Sequence, residues 1–143
     1  GIDIIGDPTR DIVGCRVGYE SVPLPDSTAS YITAFDFIEH VPRTMYYKDE
    51  FVNPFINLMN EVYRLLKPGG LFHASTPAFP HPEAFQDPTH VNFITDQTIG
   101  YFNGGMKDLH SNEYGAMYGF NGNFKGKQFW NGAHLQWRLT AIK

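Results

Sequence analysis

A chain of 143 residues, 42% apolar and 18% charged, suits one globular domain with a real core and shows no sign of disorder. Its net charge of −4, without a Lys/Arg cluster, argues against nucleic acid as a partner, and no apolar run approaches the ~20 residues of a membrane span. Cys15 stands alone, which excludes a disulfide framework and a thiolate metal cluster and fits a reducing, cytoplasmic setting. No signal peptide is visible. The chain opens on Gly1 with a strand-like residue directly after it, which reads as a cut chain.

Residues 1–5 read as the end of a strand, closed by a Gly6-Asp7-Pro8 turn. A second short strand is expected around Ile12-Val13 and Arg16-Val17. Residues 19–27 form a proline-rich loop, and residues 30–35 a buried apolar strand. Residues 41–53 are polar and aromatic, too long for a minimal connection. Then Phe55, Leu58, Met59, Val62, Leu65 and Leu66 recur at the spacing of one helix face. Lys67-Pro68-Gly69-Gly70 stops that helix, and residues 71–75 form the next strand. Strand, helix, tight turn, strand is a βαβ unit, so the two strands should run parallel. Its polar residues, Asp36, Glu39 and His40, fall at a strand's carboxyl end, where open α/β sheets bind ligands.

Four prolines within residues 76–93 argue against helix or central strand there, and ordered loops of this length are usually functional. Thr95 or Asp96 caps a short helix over residues 97–102. Residues 106–118 read as loop with a helical turn. Residues 123–130 and 134–142 form a hairpin around Asn131-Gly132. In its second strand Leu135, Trp137, Leu139 and Ala141 alternate with polar residues, so one face is buried.

The run from Asp36 to Pro42 (DFIEHVP) and the run from Glu61 to Phe72 (EVYRLLKPGGLF) together resemble the class I S-adenosylmethionine-dependent methyltransferases. Val22-Pro23-Leu24-Pro25-Asp26-Ser27 resembles their "LPFPD-S" segment, and the run from Phe85 to Val91 (FQDPTHV) is similar to a subgroup associated with small-molecule or surface-glycan modification. The resemblance implies an α/β, Rossmann-like methyltransferase sheet, mostly parallel with an antiparallel C-terminal hairpin. In that family the strand order is 3-2-1-4-5-7-6. About six strands are visible here, matching the second to the seventh, and no G-x-G-x-G loop is present. The first strand and the glycine loop are therefore missing, and the chain is a partial single domain over residues 1–143. A gap there leaves a central sheet edge open, to be filled by an upstream segment, by a second copy in a homodimer, or by direct pairing of strands two and four.

The resemblance further implies S-adenosylmethionine as cofactor and a small molecule, such as a sugar or surface-glycan precursor, as substrate. Asp3 falls where the family's strand-two acid accepts both ribose hydroxyls, Glu20 near its adenine-contacting acid, and Asp36, Phe37 and Ile38 where its post-strand-four segment lines the cofactor pocket. His90 and His40 are the candidate bases, since histidine titrates at about pH 6.5. Asp87 reads instead as an Asx turn that orders the loop. His81, Asp87, His90 and Glu39 lack tight ligand spacing, so no metal site is expected. Tyr46, Tyr47, Phe79, Phe85 and Phe93 could wall a substrate pocket or merely pack the loops. The rival from another class is a non-catalytic binding module that needs a partner chain. A nicotinamide oxidoreductase fits poorly, because its dinucleotide fingerprint is absent.

Overall fold

The computed structural model of this chain describes residues 1–3 and 5–143; Ile4, part of the first expected strand, lies outside them. Among the described residues the main sheet has four strands. β3 (Ala29–Phe35) pairs in parallel with β6 (Leu66–Pro77), which pairs antiparallel with β8 (His134–Ala141), and β8 with β7 (Phe124–Asn131). Two further pairs stand apart: β1 (Ile2–Asp3) parallel to β2 (Val13–Gly14), and the hairpin of β4 (Met45–Tyr47) with β5 (Glu50–Val52). The result is a mixed α/β chain whose βαβ unit and C-terminal hairpin lie where the sequence puts them.

The helix α1 (Pro54–Leu65) connects β3 to β6. Proline occupies its first turn, where a missing N–H costs nothing, and Phe55, Leu58, Met59, Val62 and Leu65 are all buried. The first four meet Phe72 and Ala74 of β6 and Leu135, Trp137 and Leu139 of β8 in one core, while Leu65 packs with Cys15 and Val22 in a smaller one. β6 begins earlier than the 71–75 strand of the sequence reading. Its first residues form an irregular stretch in which two steps along β3, Ala29 to Tyr31, span five along β6, Leu66 to Leu71. Gly69 turns the chain there with φ +76°, a conformation open to glycine at little cost.

Only one face of the sheet is covered, and this corrects the expectation of a buried strand at residues 30–35. β3 is an edge strand whose Tyr31 and Phe35 are more than half exposed. Both flank His73 on the open face: the Tyr31 hydroxyl lies 3.0 Å from His73 Nδ1, and the Phe35 ring meets the imidazole edge-on. Among the described residues β1–β2 and β3 belong to separate sheets, so no direct pairing between them is seen.

Two more expectations change. Residues 41–53 hold the β4–β5 hairpin, closed by Lys48 and Asp49 at φ 49° and 66°. The proline-rich segment after β6 contains one helical turn, α2 (Glu83–Gln86). Pro82 immediately precedes it, and proline there removes no helical hydrogen bond. The segment 97–102 is a 3-10 turn over Thr98–Tyr101, and α3 (Tyr114–Met117) is the helical turn of the ambiguous stretch. No helix among the described residues is long and apolar enough to cross a membrane.

The loop at residues 21–27 is held by Arg64, at the end of α1. Its Nε and one terminal nitrogen grip Glu61 at 2.9 and 2.8 Å, and the same head donates to Asp26 and to the carbonyls of Val22 and Leu24. Glu61 also accepts from the Val22 amide at 2.8 Å. The family-like "VPLPDS" segment is thus fixed to the helix by hydrogen bonds rather than by regular structure.

Candidate functional site

Several of the candidate residues gather where β3 and β6 end. Asp36 follows β3 with φ +47°, a left-handed conformation that Asp tolerates. Its amide donates to Ser75 of β6 at 2.9 Å, and its carboxylate lies 2.9 Å from His134 Nε2. The chain then enters a 3-10 turn, Ile38–His40. That turn buries two side chains and projects a third. Ile38 is fully buried, Glu39 is 1% exposed, and His40 is exposed.

The loop after β6 folds back over this turn. The Glu39 carbonyl accepts from the amides of both Val91 and Asn92 at 2.9 Å. Asn92, itself buried, donates to the Ile38 carbonyl at 3.0 Å and accepts from Arg43 Nε at 2.8 Å. Asp87 forms the expected Asx turn: its Oδ1 accepts from the Thr89 hydroxyl at 2.7 Å and the Thr89 amide at 2.8 Å. Those two donors hold the Asp87 carboxyl below its ordinary range. His40 and His90 meet edge to face, ring centres 4.9 Å apart. Glu39, expected among the polar residues at a strand's carboxyl end, turns inward: its Oε2 accepts from the Thr76 hydroxyl at 2.8 Å inside the core. Its partner sits on a different element, so nothing local in the sequence announces the burial.

A cleft of about 600 Å³ opens between the β1–β2 pair and the segment after β3. Asp3, Phe37 and His40, three of the sequence candidates, line it together with Cys15, Tyr19 and Tyr47. Burial pushes both the Cys15 thiol and the Tyr19 phenol up, so neither is ionised at neutral pH. The other candidates lie elsewhere. Glu20 is exposed and does not line this cleft. Ile38 is fully buried in the core, and Asp36 is tied to His134. A second, larger cleft of about 860 Å³ lies beyond Arg43, with Phe55, Phe93, Tyr101, Met106 and Tyr118 in its wall. Tyr47 therefore lines the first cleft and Phe93 the second. Phe79 and Phe85 are half exposed and pack as a pair, with Phe85 also against Phe93.

No protein-family model matches this chain, and no curated protein matches it. Among solved structures, a protein of Sulfolobus solfataricus provisionally named a type 11 methyltransferase is similar, with 16% identity and a TM-score of 0.48. The likeness covers 99% of this chain and 69% of the other. Similarity at that level carries nothing about activity.

Proposed function

We propose that this chain is a methyltransferase-type domain that binds S-adenosylmethionine in the cleft of Asp3, Phe37 and His40 and serves a small-molecule acceptor, such as a sugar or surface-glycan precursor. The observation that carries the reading is the convergence of Asp3, from β1, with Phe37 and His40, from the turn after β3, on one cleft at the carboxyl ends of strands. A carboxylate at Asp3 offers two acceptor oxygens to a pair of ribose hydroxyls, and Phe37, 39% exposed, offers a face for a purine. His40, on the turn, and His90, on the loop that packs over it, stand on the acceptor side. The strand order β3-β6-β8-β7 supports the same reading, since it is the order of strands four, five, seven and six in that family. The test is whether the cofactor's demethylated product binds this cleft and needs Asp3.

The absence of a glycine loop favours a second reading, a domain that binds ligand without turnover unless another segment completes it. In either case the free edge of β3 and its half-exposed Tyr31 and Phe35 form a surface for a second copy of the chain. Sedimentation at ~10–100 µM should then show a dimer that Tyr31→Lys with Phe35→Lys dissociates. A strictly monomeric species would contradict the edge pairing.

A further inference from the structure

We propose that Glu39, His40 and His90 form a binding site for a divalent transition-metal ion, of the kind that zinc represents. The first observation is Glu39 itself. The residue is 1% exposed, its Oε2 is held by Thr76, and its Oε1 is buried with no hydrogen-bond partner among the described residues. Burying a carboxylate oxygen unpartnered is costly, and an ion is the partner that would offset that cost.

The two histidines are prepared for it by their neighbours. His90 Nδ1 lies 3.2 Å from the Ala84 carbonyl, which can only accept, so Nδ1 carries the proton and Nε2 keeps its lone pair. His40 Nδ1 lies 3.2 Å from the Thr89 carbonyl and 3.0 Å from the Thr89 hydroxyl. That hydroxyl already gives its hydrogen to Asp87 Oδ1, so it too accepts, and His40 takes the same tautomer. A histidine whose second ring nitrogen donates to a carbonyl is oriented as metal-binding histidines are.

One ligand atom from each of the three residues lies within 4.8 Å of the others. Donors set tetrahedrally about a zinc ion at about 2.0–2.2 Å stand about 3.3–3.6 Å apart, so side-chain rotations that draw the three atoms about 1 Å closer complete the set. Two imidazoles and one carboxylate suit zinc, iron or nickel better than calcium or magnesium, which prefer all-oxygen sites. Three protein donors leave an open coordination position, and His40 lies on the wall of the cleft. The ion would also staple the turn after β3 to the loop after β6. His90 then acts as a ligand rather than as a free base.

The test is calorimetric titration of Zn²⁺ into chelator-treated protein, without any cofactor, alongside Glu39→Gln, His90→Ala and the distant control His110→Ala. One equivalent of zinc should bind, with affinity weakened about 100-fold or more in the first two variants and unchanged in the control. Glu39→Gln can keep the Thr76 hydrogen bond, so it should remain folded by circular dichroism. Should it unfold, ring-nitrogen NMR of the unmodified chain decides: zinc must shift His40 and His90 and spare His110. No binding at ~100 µM zinc, binding indifferent to Glu39→Gln and His90→Ala, or shifts confined to other histidines would each overturn the site.

Discussion

Replacing Arg64 by alanine should lower stability by about 2–4 kcal/mol, the loss expected when a well-bonded, partly buried ion pair is left with one partner. Arg64 donates from every nitrogen of its head, to Glu61, to Asp26 and to two carbonyls of the proline-rich loop. Its removal strands the Glu61 carboxylate and two backbone acceptors at once. Its side chain is 25% exposed, so water can reach some of the stranded groups and the upper end of the range is not expected. Lysine cannot reproduce the planar fork, and Arg64→Lys should recover less than half of the loss. Thermal melting of both variants checks the order. An unchanged melting temperature in Arg64→Ala would show that the loop is not held by this contact.

The same contact sets an acid-side signature. The Arg64 hydrogen bond, helped by the Val22 amide, lowers the Glu61 carboxyl below its ordinary value near 4.5. Because the folded value is the lower one, the Glu61 contribution is fully present above about pH 4.5 and is lost as pH falls through the folded value. Stability of the unmodified chain should therefore fall more steeply below pH ~4.5 than that of Glu61→Gln.

Trp137→Ala should cost about 3–5 kcal/mol, the usual penalty for emptying an aromatic-sized core site. Trp137 is fully buried at the centre of β8, with the rings of Phe55 and Phe102 against it at 6.5 and 6.1 Å. It joins α1, the hairpin and the 3-10 turn into one core, so its loss should unfold the chain as a unit. Trp137→Phe should cost much less, about 1–2 kcal/mol. The indole Nε1 is buried without a partner among the described residues, and deleting an unsatisfied donor offsets part of the lost packing. Denaturant titration separates the two variants; equal losses would mean that the indole nitrogen is in fact satisfied.

These positions also show how far the sequence speaks. The face of α1 and the alternation of Leu135, Trp137, Leu139 and Ala141 were legible because burial there follows a simple period: 3.6 in the helix and 2 in the strand. Tyr31 and Phe35 follow the same period and yet face outward, since composition cannot tell whether a sheet face has a cover. The β4–β5 hairpin escaped notice because Lys48 and Asp49 adopt the positive φ values that Asn-Gly would have signalled. In the site, Asp3, Phe37 and His40 were legible through motif likeness, while the burial of Glu39 and the His40–His90 contact depend on residues 37 to 50 positions apart. Tertiary pairing of that kind leaves no local period to read.

The most direct measurement is a calorimetric titration of S-adenosylhomocysteine into this 143-residue chain, with Asp3→Ala beside it. The account predicts saturable binding at micromolar concentration, weakened about tenfold or more in Asp3→Ala, a loss of about 1.4 kcal/mol or more. No heat at millimolar ligand, or binding indifferent to Asp3, would contradict a cofactor site in this cleft.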